Sequence, residues 1–146
     1  MTGREAVPDA VVLDASFVLR YVLHTASPRP HAGGLALLRN VELLVPALWN
    51  AEVANALIQA ERRSAAPPAR IGQALAAINA LRPVVDATVI DVVRCLELAR
   101  AYKLSAYDAL YLELASRRKA ALATYDAALI AAAPSAGVAL FPPPAV

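Results

Sequence analysis

The chain has little of several things, and each shortage excludes a class of protein. There is one cysteine, Cys95, so no internal disulfide can form, which fits a reducing compartment. Its place in an apolar helical stretch predicts a buried structural thiol. Long hydrophobic runs are missing although 59% of the residues are hydrophobic. Asp, Arg, Asn or Pro interrupts every run before the ~18 residues a membrane span needs. Met1 to Glu5 carries both charge signs and does not read as a secretory signal. A cytoplasmic protein with no membrane contact is expected. His24 and His31 have no cysteine or spaced histidine partner, which argues against zinc. Gly-x-x-x-x-Gly-Lys, Gly-x-Gly-x-x-Gly and Gly-x-Ser-x-Gly are all absent, removing nucleotide-loop enzymes and serine hydrolases with a nucleophile elbow. Net charge is only +2, so any nucleic-acid contact must come from local patches.

What remains is an alternating pattern in a chain of 146 residues, the size of one domain. Residues 1–10 read as a short, flexible polar leader, and 11–146 as a single domain. Short apolar runs predict strands at 11–14, 43–45, 121–124 and 138–141, with β-prone pieces at Val84-Val85 and Thr88–Ile90. Apolar spacing of three and four predicts helices at 16–23, 31–39, 47–63, 69–81, 92–102, 106–119 and 126–133. His24 to Pro30 reads as a loop. The break at Ser64–Pro68 makes the 47–63 and 69–81 helices a hairpin at the sheet edge. Alternating strands and helices predict an α/β fold, a three-layer α/β/α sandwich around a mostly parallel sheet.

Four acids stand out against this frame. Asp14 and Asp126 each end an apolar strand and open a helix, so both belong on the carboxyl edge of a parallel sheet, where such folds bind ligands. Asp108 follows Ser105 at capping-box spacing. Glu52 lies one turn into the helix after the second strand, three residues before Asn55, a spacing that shares a helix face. Each has an ordinary structural reading, as a helix cap or a solvated glutamate. Together they place four carboxylates on one edge, where they would repel and raise one another's pKa. Hard oxygen ligands of this kind suit Mg²⁺ or Mn²⁺, and that combination serves phosphodiester hydrolysis. The remaining acids read as structural: Asp91 as a cap, Glu42 as a loop residue, and Glu61, Glu97 and Glu113 as solvated. Arg20, Arg39, Arg62 and Arg63 are candidates for phosphate contact, each set against the reading of an ordinary surface arginine.

The blocks Val12-Leu13-Asp14-Ala15-Ser16, Pro46 with Glu52-Val53-x-Asn55-Ala56-Leu57, Leu104 to Tyr111 around Asp108, and Ala123-Thr124-Tyr125-Asp126 resemble the four blocks of PIN-domain proteins. Within that group the chain is most similar to the toxins of VapBC toxin–antitoxin systems. The resemblance implies a Mg²⁺- or Mn²⁺-dependent endoribonuclease with the quartet Asp14, Glu52, Asp108 and Asp126 as metal ligands and catalytic residues. It also implies that Ser16 and Thr124 support the metal or its waters, and that Asn55 neighbours the glutamate. The implied substrate is structured RNA of the tRNA or rRNA class. The implied partners are a cognate antitoxin, whose C-terminal segment wraps the helical hairpin, and a second copy of the chain. The alternative is a PIN-like module that binds RNA or protein without cutting. A structure-specific DNA nuclease of related fold would carry insertions that this compact chain lacks.

Overall fold

The computed structural model describes residues 6–23, 34–63 and 66–143. Four strands form one sheet: β1 (Ala10–Leu13), β2 (Glu42–Pro46), β3 (Val84–Asp86) and β4 (Ala121–Ala123). Between and after them lie α1 (Ala15–Val22), α2 (Gly34–Leu37), α3 (Trp49–Arg62), α4 (Pro68–Leu81), α5 (Val92–Tyr102), α6 (Ala106–Arg118) and α7 (Ala127–Ser135). Every strand pair is parallel, and the order is β3-β2-β1-β4. The strand centres are apolar because both faces of the sheet are covered: Val11 to Leu13 and Leu43 to Val45 on the two inner strands, and Ala121 to Ala123 on edge strand β4, are all buried.

The helices divide into two packed groups. α1, α3 and α4 contact one another; α6 lies across β1, β2 and β4 and also contacts α5 and α7. This is the expected three-layer arrangement. α3 turns Trp49, Val53 and Leu57 inward at four-residue spacing, and α4 does the same with Ala74 and Ile78. The two helices form the expected pair, with both leaning on α1. α6 is the most deeply embedded, burying Tyr111, Leu112, Leu114 and Ala115. Gly34 opens α2 against α1, where a Cβ would collide with the Tyr21 side chain.

Three elements differ from expectation. Thr88–Ile90 is not a strand: the Thr88 N–H donates to Asp86 Oδ1 at 3.0 Å, a side-chain turn that takes the chain off the sheet. The last strand shrinks to one parallel bridge between Leu140 and Leu122. The 31–39 helix is a single turn over its described part. Residues 1–5 of the leader, the His24–Pro30 loop, residues 31–33 and the break at Ser64-Ala65 lie outside the described residues. Among the described residues no helix is long and apolar enough to cross a membrane.

Candidate active site

The strand order itself locates the site. From β1 the chain builds outward through β2 to β3, then returns to place β4 on the other side of β1. In a parallel sheet the helices leaving two such strands diverge, and the crevice between their carboxyl ends is open to a ligand. Asp14 directly follows β1, and Thr124, Tyr125 and Asp126 directly follow β4. The backbone joins them, since the Asp14 N–H donates to Ala123 O at 3.0 Å.

Asp14 occupies the cap position of α1 yet its side chain makes no capping hydrogen bond. Its Oδ2 instead accepts from the Ser16 hydroxyl at 2.6 Å and the Thr124 hydroxyl at 2.7 Å. Both hydroxyls are held in turn. Ser16 Oγ accepts from Tyr125 N–H at 3.1 Å, and Thr124 Oγ1 accepts from Asp126 N–H at 3.0 Å. Each hydroxyl proton is thereby aimed at one carboxylate oxygen, and among the described residues no side chain donates to Oδ1. Asp14 is only 4% exposed and Thr124 8%, and they are the buried polar residues of the described core. Burial raises the Asp14 pKa most; the two hydroxyls oppose it, Asp126 adds to it, and the Ser16 amide pulls weakly downward.

The other three acids arrive at helix N-termini. Asp126 caps α7 by accepting from Leu129 N–H at 3.0 Å. Asp108 sits in the first turn of α6, with its N–H donating to Ser105 Oγ at 3.1 Å, so the capping reading of Ser105 holds. Glu52 sits in the first turn of α3 and accepts from the Tyr111 hydroxyl at 2.6 Å. The positive ends of four helices therefore lie under the four acids, an environment that also attracts phosphate. Burial is the leading cause of the raised pKa of both Glu52 and Asp108. Glu52 feels the charges of Asp14 and Asp108, and Asp108 those of Asp126 and Asp14. The quartet is thus one electrostatic unit, and no described arginine or lysine forms an ion pair with any member.

A hard divalent cation fits this donor set by charge, by oxygen chemistry and by placement. The side chains as they stand do not close on one point: among the described residues no three acids, histidines or cysteines form a ready cluster of ligands.

Ser16 and Thr124 stand where sequence reading expects them. Asn55 does not join the acids: it is exposed on α3 and hydrogen-bonds no described residue. Sequence reading misses Tyr111, which looks like one more apolar residue of α6, although its spacing of three from Asp108 was a signal of a shared face. It also misses Tyr125, whose ring stacks on Phe17 at 4.9 Å while its hydroxyl meets that of Tyr21 at 2.9 Å. That stack pins the turn carrying Thr124 and Asp126 to α1. Arg20 lies 4.3 Å over the Tyr125 ring, a cation held beside the site by an aromatic face. Arg39, Arg62 and Arg63 are exposed. Glu113 is not solvated as expected, but bound by Arg117 at 2.8 Å; Cys95 is half-buried instead of buried. Glu42 opens β2, Asp91 caps α5 as expected, and Glu61 and Glu97 are exposed.

The model of the PIN domain family matches residues 11–134, which include all four acids and all of the sheet but Ala10. The chain belongs to the PIN-domain family. PIN domains are typically metal-dependent nucleases that use divalent ions, which agrees with a carboxylate quartet at the switch point of the sheet that no described arginine or lysine neutralises. Among solved structures this PIN domain is similar to PAE2754 from Pyrobaculum aerophilum, with a TM-score of 0.62 and 22% identity over 84% of this chain and 78% of that one. At that identity the likeness concerns the fold alone. No curated protein sequence matches the chain.

Proposed function

We propose that this PIN domain is an endoribonuclease toxin that hydrolyses phosphodiester bonds in structured RNA, with Asp14, Glu52, Asp108 and Asp126 as its metal-binding, catalytic quartet. The observation that carries the reading is that four mutually repelling carboxylates share one edge with hydroxyls and helix N-termini but with no ion-pair partner among the described residues. Asp14, oriented by Ser16 and Thr124, is the fixed ligand. Glu52, steered by the Tyr111 hydroxyl, and Asp108 and Asp126, on their helix N-termini, would supply the remaining oxygen ligands. A bound Mg²⁺ or Mn²⁺ ion supplies an activated water and offsets charge on the transition state. Arg20, held on the ring of Tyr125 next to Asp126 in the chain, is a candidate to grip a flanking phosphate.

The resemblance to VapBC toxins supports the toxin role, a cytoplasmic site of action, neutralisation by a cognate antitoxin, and a homodimer. The second reading is a PIN module that binds RNA or protein without cutting; the one observation on its side is that the described acids do not close into a ready cluster of ligands. Incubating total RNA with the antitoxin-free protein separates the two. Discrete fragments are expected with Mn²⁺, none with chelator, and none from Asp108→Asn. Wild-type protein that neither binds Mn²⁺ nor cuts would transfer the case to the binding module.

A further inference from the structure

The aromatic rings around the four acids are not equally free. Tyr111 is fully buried, with its hydroxyl on Glu52. The ring of Tyr125 is engaged by Phe17, stacked on it at 4.9 Å, and by Arg20 at 4.3 Å. Tyr107 is 67% exposed, and its side chain makes no hydrogen bond or ring contact among the described residues. That exposure is not the exposure of a helix's outer face. Tyr107, Tyr111 and Leu114 succeed one another at spacings of four and three, so they fall on one side of α6, and the other two are buried. Leu110 and Leu114 line a cavity with Pro46, Ala47 and Leu48, so this side looks toward the turn that opens α3. Tyr107 lies in the first turn of α6, just after the cap Ser105, and helical side chains lean toward the N-terminus. Its ring therefore extends past the packed layer at the mouth of the acid site, next to Asp108 in the chain and on the side of Glu52.

A free π-face beside a phosphodiester site suits a nucleobase. Every base has a face that stacks on tyrosine, but only an unpaired base can be splayed out to reach one. We propose that Tyr107 is the platform on which RNA bound at the acid site lays an unpaired base next to the scissile phosphate. The strand order puts Glu52, after β2, and Asp126, after β4, on opposite sides of Asp14. Arg20, held beside Asp126, then meets backbone at one end of the row of acids, and Tyr107 meets a base at the other. The inference rests on the reading of the site as a ribonuclease and adds to it the residue that selects an unpaired nucleotide.

Fluorescence anisotropy of a short labelled oligoadenylate, read against an abasic strand of equal length, tests it in the full chain carrying the non-cutting exchange Asp14→Asn. Tyr107→Ala and Tyr107→Leu are expected to weaken oligoadenylate binding by about 5- to 100-fold. Tyr107→Phe keeps the ring and should stay within about twofold. The abasic strand should bind all of these proteins alike, because it offers the ring nothing to stack on. With Asp14 intact, Tyr107→Ala should bind Mn²⁺ as wild type does, since the exposed ring supports neither the fold nor the acids. Oligoadenylate binding that is indifferent to Tyr107→Ala, while wild type cuts total RNA with Mn²⁺, overturns the stacking role and leaves the ribonuclease reading standing. An equal loss on the abasic strand also overturns it, because the residue then acts through backbone or fold. Wild-type protein that neither binds nor cuts RNA overturns both.

Discussion

The chain holds two groups of carboxylates, and it treats them in opposite ways. At the far end of α6, Asp86 accepts from Arg117 at 3.1 Å and Arg118 at 3.0 Å, while Glu113 is bound by Arg117 and Glu42 pairs with Arg118 at 3.7 Å. Two guanidiniums and three acids come close to balance, and Arg117 holds the Asp86 carboxyl well below the usual carboxylate range. At the near end of the same helix, Asp108 joins Asp14, Glu52 and Asp126 with hydroxyls and amides for company. There the pKa values of Asp14, Glu52 and Asp108 move up. The first group is finished by the chain itself and serves the fold. The second is left short of positive charge, which is the condition of a site that takes a cation from solution.

The largest effect expected is from removing the best-held member of the open group. Asp14→Asn keeps the shape and both hydroxyl contacts in reach but deletes the fixed charge. Changing a residue that merely orients a ligand costs about 10- to 100-fold in metal affinity. Loss of the ligand should therefore weaken Mn²⁺ binding by more than about 100-fold, read by calorimetry, and RNA cleavage should fall below detection. Native-like binding in Asp14→Asn would mean that the two groups are alike and the open one is structural.

The next test sets the groups against each other through pH. Raised folded-state pKa values at Asp14, Glu52 and Asp108 mean that the folded protein holds those protons more tightly than the unfolded chain. Their contribution to stability is fully present below the unfolded pKa of about 4 and is lost as pH rises through the folded values. Asp86 behaves oppositely: its contribution is present above about pH 4 and is lost as pH falls toward its depressed value. Metal-free protein should accordingly lose melting temperature as pH rises above about 4 through the raised carboxylate values, and Mn²⁺ should reduce that loss. Asp86→Asn should instead destabilise by up to about 1 kcal/mol at neutral pH, with and without Mn²⁺, because Arg117 and Arg118 lose their shared acceptor at the surface. Equal pH slopes with and without metal would dissolve the distinction.

Much of this was legible in the sequence because strand–Asp–helix is a local signal. Three apolar residues followed by Asp14, or by Thr124-Tyr125-Asp126, place an acid at a strand end without tertiary knowledge, and the alternation of elements makes the sheet parallel. What could not be read is what those residues touch over long separations. Ser16 and Thr124 are 108 positions apart and converge on one oxygen of Asp14; Tyr111 reaches Glu52 from 59 positions away. Element ends were also obscured, since α4, α5 and α6 stop at Arg82, Lys103 and Lys119 in the left-handed region and not at the usual glycine. Asn55 shows the converse. Its spacing from Glu52 is right for a shared face, yet the face it occupies is solvent.

That pair of residues gives the finest test of the comparison. Tyr111→Phe removes one hydroxyl from a fully buried ring, leaving packing intact and Glu52 without its donor. The hydroxyl opposes the upward push of burial on the Glu52 pKa, so its loss should raise that value further. Mn²⁺ affinity should fall by about tenfold near the pH where Glu52 titrates and recover as pH rises. A merely structural tyrosine would change melting temperature without moving the pH midpoint of binding. Asn55→Ala should do neither, staying within about 0.5 kcal/mol of wild type as an exposed residue without partners does. If Asn55→Ala shifts the midpoint and Tyr111→Phe does not, then Glu52 turns outward along α3 when metal binds, and the tyrosine contact belongs to the metal-free state alone.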